Sequence, residues 1–153
     1  MQADSSYPFF SLIVVNYNNG GLLREALTSA FQQTFCDFEL IVSDNCSTDD
    51  SWEVICSFTD SRIKSFRQSR NIGMYPNLNF AVSKARGFYL KFLNSDDVLH
   101  PQCLEILDFA IQKFDIGGNR NPVHINHGVT QDRLARPSWF DSRFSGYCDF
   151  SEV

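Results

Sequence analysis

The apolar residues of the chain fall into short runs that alternate with amphipathic stretches. Four nearly continuous runs, each ending in a turn-rich segment, predict β-strands over residues 9–15, 38–43, 63–66 and 88–93. Runs of this kind are typical of strands that are covered on both faces. Apolar residues at helical spacing follow each run and predict helices that begin near residues 22, 49, 76 and 101.

Two helix ends are predicted from side-chain chemistry. Ser47 or Thr48 is expected to cap the second helix, because a hydroxyl there can accept a bond from a free N–H group of the first turn. Gly87 is expected to end the third helix, because glycine tolerates the left-handed conformation that is common at that position.

The regular alternation of strand and helix predicts an α/β fold with a mainly parallel sheet flanked by helices. Ligands of such sheets bind outside the carboxyl ends of the strands. Three polar loops follow predicted strands and should meet at that edge: Asn16–Asn18, Asp44–Asn45 and Asn94–Asp97. From residue 117 the pattern fails, so we divide the chain into a tail (1–8), a domain (9–116) and a segment of uncertain structure (117–153).

Composition excludes several classes of protein. A length of 153 residues suits roughly one domain, and 43% hydrophobic with 20% charged residues argues against disorder. The net charge of -5 argues against nucleic acid as the main partner, because a phosphate backbone needs a basic surface. The 15 phenylalanines predict a core with many aromatic contacts. We expect no transmembrane segment, because no apolar run approaches the roughly 18 residues that a span needs.

The cysteines bear on location. The chain has five, an odd number without a CxxC pair, which argues against a disulfide framework and against a zinc site. Free thiols are typical of a reducing compartment. We therefore expect a cytoplasmic location, with the inner face of the membrane as the alternative.

Asp96 and Asp97 are the sharpest chemical feature of the sequence. Two adjacent carboxylates after a buried strand repel each other unless a cation or hydrogen-bond donors offset their charge. Mg²⁺ or Mn²⁺ prefers such oxygen ligands and often bridges a carboxylate to a substrate diphosphate. The alternative interpretation is a turn in which both residues help to cap the helix near Pro101.

Three other positions have both a binding and a structural interpretation. Asp44 could accept the imide N–H of uracil or a ribose hydroxyl, or it could be a turn residue beside Ser47. Tyr17 could stack on a base, or it could simply be packed. The segment Asn71–Gly73 could bring backbone close to a ligand, or it could be a plain turn.

In their order, these motifs resemble the nucleotide-sugar-binding half of the family 2 glycosyltransferases. Residues 11–18 (SLIVVNYN) are similar to the opening strand and loop of that family, and residues 33–51 to its segment QTY-x-x-(F/W)-E-(I/L)-I-V-V-D-D-G-S-T-D-x-(S/T). Asn71 and Gly73 followed by Asn79 match an N-x-G…N segment, and residues 85–97 resemble A-x-G-(E/K)-Y-(I/L)-x-(F/L)-L-D-(S/A)-D-D.

The resemblance implies a Rossmann-like GT-A fold and the transfer of a sugar from a nucleotide diphosphate, usually with inversion. It implies a UDP-sugar donor, a glycan or lipid acceptor and Mg²⁺ or Mn²⁺ as cofactor. Asp97 would bind the metal, and Asp96 would contact the ribose, or the metal through water. The other nucleotide-binding residues would be Val15, Asn16, Tyr17, Asp44 and Asn71.

The sequence departs from the family pattern at several positions. Asn16 replaces a commoner Thr, Asn45 stands where a second Asp is frequent, and Asn94 replaces the first Asp of the Asp-Ser-Asp-Asp form. No catalytic base is identified, because none of the later carboxylates lies in a recognisable motif: Asp115, Asp132, Asp141, Asp149 and Glu152.

Three alternative functions stay open at this stage. One is a non-catalytic or truncated nucleotide-sugar-binding module. A second is a nucleotidyltransferase, which normally has a Gly-rich, basic loop after the first strand, and Gly20-Gly21 with Arg24 is too thin a match to such a loop. The third is a phosphoryl-transfer domain with Asp44 or Asp96 as nucleophile, which the order of the motifs fits poorly.

Overall fold

The computed structural model describes residues 7–114, in which four strands and four helices alternate. The strands are β1 (Phe10–Asn16), β2 (Phe38–Asp44), β3 (Ile63–Arg67) and β4 (Tyr89–Phe92). The helices are α1 (Gly20–Phe31), α2 (Ser51–Cys56), α3 (Met74–Ser83) and α4 (Cys103–Lys113). The segment 117–153 and the five later carboxylates lie outside the described residues.

The strands form one parallel sheet in the order β3-β2-β1-β4. This confirms the predicted α/β fold with helices on both faces of a parallel sheet. The register places Asn16 beside Asp44, and Asp44 beside Arg67, so that the last residues of the three strands stand in a row. The carboxyl edge of the sheet is therefore polar across its middle.

The two faces of the sheet are covered by different helices. Phe10, Leu12 and Val14 of β1 pack into the larger core, which also receives buried side chains of α1, α2 and α4. Ile13 points to the other face and packs with Ala81 of α3 in a smaller core. This double coverage explains why β1 and β2 lack the polar alternation of a half-exposed strand.

Aromatic side chains fill the amino-terminal end of the larger core. The ring of Phe9 lies 4.9 Å from that of Phe10 and 5.2 Å from that of Tyr89, and Phe10 lies 5.4 Å from Phe35. These separations are in the range of favourable ring pairs. The expectation that the many phenylalanines build the core is confirmed at this end of the sheet.

The third helix begins and ends differently from the prediction. It starts at Met74, two residues before Pro76, because the missing N–H of proline costs no hydrogen bond within a first turn. It ends at Ser83, so the expectation that Gly87 terminates it is wrong. Gly87 instead lies directly against the backbone of β1, and its N–H donates to Ser11 Oγ at 2.8 Å.

We expect Gly87→Ala to lower the free energy of unfolding by about 3 kcal/mol. A Cβ at Gly87 would lie 2.5 Å from the backbone N of Ser11 and 2.6 Å from the backbone C of Phe10, so a strand would have to move. Gly21→Ala is the matched control, because a Cβ there meets no atom within 4 Å. Alanine in α1 should leave stability unchanged or raise it by up to about 1 kcal/mol. Urea denaturation of both variants measures the difference, and equal stability of the two would contradict the close-approach argument.

Glu39 connects several elements at the amino edge of the sheet, opposite the polar edge. Its buried carboxylate accepts bonds from Ser11 Oγ at 2.7 Å, from the backbone N–H of Arg86 at 2.6 Å and from Lys64 Nζ. Burial raises the pKa of Glu39, but the bonds from Lys64, Ser11 and Arg86 outweigh it and the net pKa is lowered. Glu39 is therefore ionised near neutral pH and ties β1, β2 and β3 to the α3–β4 connection.

Candidate functional site

Asp44 lies at the centre of the carboxyl edge and is completely buried. Its Oδ1 accepts bonds from Asn16 Nδ2 at 3.1 Å and from the Ser47 hydroxyl. Its Oδ2 accepts a bond from the backbone N–H of Ser47 at 2.9 Å, and Arg67 Nε lies 3.6 Å away. A buried carboxylate needs such partners to remain charged. Asp44 thus holds the ends of three strands and the next loop together.

Ser47 has a different role from the predicted one. The second helix begins at Ser51, and neither Ser47 nor Thr48 caps it. The Ser47 oxygen instead accepts bonds from the backbone N–H of Asn18 at 2.9 Å and from Asn16 Nδ2 at 3.3 Å. It therefore ties the β1 loop to the β2 loop.

Cys46 occupies a strained backbone position between Asp44 and Ser47. Its φ is +64°, in the left-handed region that disfavours residues with a Cβ. The family pattern that the sequence resembles has glycine at this position. The thiol is free and partly buried.

We expect Cys46→Gly to raise the free energy of unfolding by about 1 kcal/mol, because glycine removes the left-handed penalty. Cys36→Gly is the matched control, since Cys36 is exposed and its φ is not positive. That change should lower stability slightly through the added freedom of the unfolded chain. Thermal and urea unfolding under reducing conditions measure both. A loss of stability in Cys46→Gly equal to that of the control would contradict the strain argument.

Arg67 is a site residue that the sequence reasoning missed. Besides its approach to Asp44, its Nη2 donates to the backbone carbonyl of Ser47 at 2.9 Å, and its guanidinium lies 5.6 Å from the centre of the Trp52 ring. It supplies positive charge beside a buried carboxylate. In the sequence, Arg67 is only an arginine at the end of an edge strand. Its position beside Asp44 becomes visible only from the register of β2 and β3.

Asn45 and Asn71 join the β2 loop to the segment before α3. Asn45 Nδ2 donates to Asn71 Oδ1 at 3.0 Å, and Asn45 Oδ1 accepts a bond from the Ile72 N–H at 2.9 Å. Asn71 Oδ1 also accepts a bond from the N–H of Gly73, whose φ of +90° requires glycine. An aspartate at position 45 could not donate to Asn71, so the amide is suited to this contact.

Asn77 is a second site residue that the sequence reasoning did not identify. It lies in α3 and contacts the end of β2. The buried amide donates to the carbonyl of Ser43 at 2.9 Å and accepts bonds from the Ser43 hydroxyl at 2.6 Å and from Gln68 Nε2 at 3.2 Å. A buried polar group that is hydrogen-bonded through both its donor and its acceptor fixes a unique arrangement. Asn77 therefore fixes α3 against the residue that precedes Asp44.

The β1 loop carries the remaining candidates on this side. Val15 is partly buried on the α3 face, Asn16 is buried beside Asp44, and Tyr17 is 48% exposed. About half of the Tyr17 residue is therefore open to contact with a ligand, and the alternative of a fully packed ring is wrong. Asn18 has a φ of +52° and accepts a bond from the Thr48 N–H at 2.7 Å.

The β4 loop places its two carboxylates differently. Asp96 is exposed, whereas Asp97 is partly buried and accepts a bond from Asn94 Nδ2 at 2.7 Å. The Asp97 N–H donates to the Asn94 carbonyl, so the segment is a turn, as one interpretation expected. It does not cap α4, because that helix begins at Cys103 with Gln102 as its N-cap. Among residues 7–114 no three His, Cys, Asp or Glu side chains cluster as metal ligands.

Hydrogen bonds connect the loops that follow the four strands, in the order in which the strands stand in the sheet: β4, β1, β2 and β3. Asn19 Nδ2 donates to Ser95 Oγ at 3.2 Å and joins the β4 loop to the β1 loop. Asp44 and Ser47 join the β1 loop to the β2 loop, and Asn45 joins that loop to Asn71. The predicted candidates are therefore brought to one edge, where Tyr17 and Asp96 are exposed and Asp44 is fully buried.

Comparison with solved structures places this fold among known enzymes. The chain superimposes on residues 1–349 of Staphylococcus aureus TarS in complex with UDP-GlcNAc with a TM-score of 0.65 and 30% identity, over 68% of this chain and 31% of that one. This agreement confirms the GT-A assignment. Within the described residues, no helix is long and apolar enough to span a bilayer.

Sequence relatives point the same way. The chain is 37% identical over 87 residues to WfaP of Escherichia coli, a UDP-Glc:α-D-GlcNAc-diphosphoundecaprenol β-1,3-glucosyltransferase, over 57% of this chain and 35% of WfaP. It is 31% identical over 156 residues to the GalNAc(5)-diNAcBac-PP-undecaprenol β-1,3-glucosyltransferase of Campylobacter jejuni, over 91% of this chain and 50% of that one. The chain thus spans a third to a half of these relatives. The Glycosyl transferase family 2 model matches residues 11–143, and the chain belongs to that family.

Proposed function

We propose that this chain is the donor-binding part of a glycosyltransferase that takes a sugar from a nucleotide diphosphate, with a UDP-sugar as the donor. The observation that carries the proposal is the hydrogen-bonded row of four loops at the carboxyl edge of the sheet. Such an edge is where parallel α/β sheets bind nucleotides. The UDP-GlcNAc complex of TarS, which shares this fold, supports the choice of donor.

The base and ribose would bind between the β1 and β2 loops. Val15, Asn16 and Tyr17 would line the base pocket, with the exposed Tyr17 ring stacking on the base. Asp44 would form the floor of the pocket, and Asn71 would contact the nucleotide from the other side. Asp96, exposed on the β4 loop, would contact the ribose, or the metal through water.

The β4 loop suits a divalent cation that is shared with the substrate. Asp97 offers a partly buried carboxylate, and Asp96 and Ser95 offer further oxygen atoms beside it. Mg²⁺ is commonly held by one or two carboxylates plus substrate phosphates, which needs no cluster of three protein ligands. When bound, the cation would stabilise the negative charge of the leaving diphosphate.

The transfer itself would proceed with inversion. It requires a base that takes the proton of the acceptor hydroxyl, and we assign that role to no residue of this chain. The acceptors in the names of the E. coli and C. jejuni relatives are linked to undecaprenol through a diphosphate. They support a lipid-linked glycan as the acceptor class and the inner face of the membrane as the place of the reaction.

Calorimetric titration with UDP, GDP and dTDP in the presence of Mn²⁺ tests the donor proposal. We expect UDP to bind most tightly, and equal or absent binding of all three would contradict it. A second candidate is a nucleotide-sugar-binding module without transferase activity. Release of UDP from a UDP-sugar in the presence of Mn²⁺ would exclude that candidate.

A further inference from the structure

The outer side of α4 carries an exposed apolar stripe. The inner side of this helix packs into the larger core through its buried residues Cys103 and Leu104. Three large apolar residues of α4 and its C-cap are more than half exposed: Phe109 (63%), Phe114 (61%) and Ile106 (52%). Residues three or four positions apart are neighbours on a helix surface, so these side chains form one patch. Contiguous apolar patches of this kind mark interaction sites, unlike single exposed apolar residues.

Two opposite charges stand at equal distances from the middle of the stripe. Glu105 precedes Phe109 by four residues and Lys113 follows it by four, and both are exposed. Within residues 7–114 the hydrogen bond to Glu105 comes from Thr34 Oγ1, at 2.9 Å, and engages one of its two carboxylate oxygens. Glu105 therefore keeps an oxygen for a cation outside its own helix.

Lys113 is likewise available to a partner. Its Nζ lies 5.5 Å from the centre of the Phe109 ring and 5.6 Å from that of the Phe114 ring, so the cation belongs to the apolar stripe. The ion pairs among residues 7–114 are formed by four other cations: Arg62, Lys64, Arg67 and Arg86. Lys113 thus lacks a carboxylate partner within the described part of the chain.

We propose that α4 is the contact surface of a weak dimer, in which it packs antiparallel against α4 of a second copy with Phe109 at the centre. A two-fold axis makes the same patch meet itself. In the antiparallel arrangement, Lys113 of each copy lies beside Glu105 of the other, because both are four residues from Phe109. A parallel arrangement would oppose Lys113 to Lys113 and Glu105 to Glu105. Charge complementarity therefore selects the antiparallel dimer.

The same charges argue against a lipid surface as the occupant of the stripe. Helices that lie in a membrane interface have a polar face rich in lysine and arginine. Helix α4 has one such residue, Lys113, against two acidic ones, Glu105 and Asp108. The chain as a whole has a net charge of -5, so an anionic bilayer would repel it.

The size of the patch sets the strength of the dimer. A phenylalanine carries roughly 150–250 Å² of surface, so the exposed parts of Phe109 and Phe114 amount to on the order of 200–300 Å² per copy. A standard stable interface buries about 800 Å² per partner. We therefore expect a concentration-dependent dimer with a Kd on the order of 100 μM.

Sedimentation equilibrium of the full chain, over a concentration series under reducing conditions, tests the proposal. Phe109→Ala should weaken the dimer at least about 10-fold, because it removes the central side chain. Tyr75→Ala is the matched control, since Tyr75 is an aromatic residue of α3 that is 70% exposed, and it should leave the dimer unchanged. Circular dichroism should be the same for both variants and the wild type, because neither side chain is in the core.

Charge reversal tests the antiparallel arrangement. Lys113→Glu and Glu105→Lys should each weaken the dimer about 3- to 10-fold, because each reversal brings like charges together. The double variant restores the opposite pair and should return to within about 3-fold of the wild type. A parallel dimer would not respond to the single reversals, since like charges would be opposed before and after each of them.

Zero-length carbodiimide cross-linking gives a measurement that needs no variant. Glu105 and Lys113 are eight positions apart, ~12 Å along one helix, which is too far for an amide bond within one copy. In a mixture of isotope-labelled and unlabelled chains, the link between these two residues should join one labelled to one unlabelled peptide. A chain that stays monomeric, a dimer that survives in Phe109→Ala, or a dimer without this link would each overturn the proposal. Binding of the monomer to anionic phospholipid vesicles that Phe109→Ala abolishes would also overturn it, in favour of a lipid surface.

Discussion

Replacing Asp97 by alanine is expected to abolish the contribution of Mn²⁺ to UDP binding and to lower the affinity for UDP at least about 100-fold. The carboxylate is partly exposed and its bond within the described residues comes from Asn94, so the fold should survive its loss. Without it, the cation loses the carboxylate proposed to bind it directly, and the neighbouring Asp96 would contact it at most through water. The measurement is calorimetry of UDP binding with Mn²⁺ and with EDTA.

Two controls isolate the role of the metal. Asp108→Ala removes a carboxylate from α4 that contacts Gln112 of the same helix, and it should leave the Mn²⁺ dependence unchanged. Uridine, which lacks the diphosphate, should bind the wild type and Asp97→Ala equally. A Mn²⁺ dependence that persists in Asp97→Ala would contradict the assignment of this residue as the metal ligand.

Asp44→Ala is expected to lower the free energy of unfolding by about 3–5 kcal/mol, enough to unfold much of the chain. Without the carboxylate, Asn16 Nδ2 and the Ser47 N–H lose a buried acceptor, and Arg67 loses its counter-charge. Urea denaturation measures the loss. The effect should be largely independent of salt because the pair is shielded from solvent on the Asp44 side.

An ion pair elsewhere provides the matched comparison. Asp60 and Arg62 are joined by a bond of 2.8 Å, and the bonds from Arg62 lower the pKa of Asp60 to about 2. Both side chains are partly exposed, whereas Asp44 is fully buried, so Asp60→Ala should cost no more than about 1 kcal/mol. Equal losses in the two variants would contradict the idea that Asp44 is the central support of the polar edge.

The fold was predictable because its signals are local. Apolar runs with turn residues at their ends marked all four strands, and the alternation of elements indicated a parallel sheet. Gly87 was misjudged because its constraint is a contact with Ser11, which lies far away in the sequence. Ser47 was misjudged for a similar reason: a hydroxyl before a helix suggests a cap, but this hydroxyl accepts the N–H of the distant Asn18 and donates to Asp44, and the helix begins only at Ser51.

The candidate site was predictable to a smaller extent. Strand ends located Asn16, Asp44 and Asp97 at one edge, because that follows from topology alone. Arg67 and Asn77 escaped prediction, because an edge-strand arginine and a helical asparagine are ordinarily solvent-facing. Only the strand register brings Arg67 to Asp44, and only the packing of α3 brings Asn77 to Ser43. The binding roles of these side chains remain predictions that the titrations above address.

The position of β4 in the sheet has a consequence for the order of assembly during folding. β1 pairs with β2, which is close in sequence, but also with β4, which the chain reaches only after α2, β3 and α3. Closing the longer connection costs more chain entropy, so we expect β4 to dock after the β1-β2-β3 unit has formed. Asp97 arrives with that last strand. A nascent chain would thus acquire its base pocket before its metal ligand, and binding of the diphosphate would begin only when the sheet is complete.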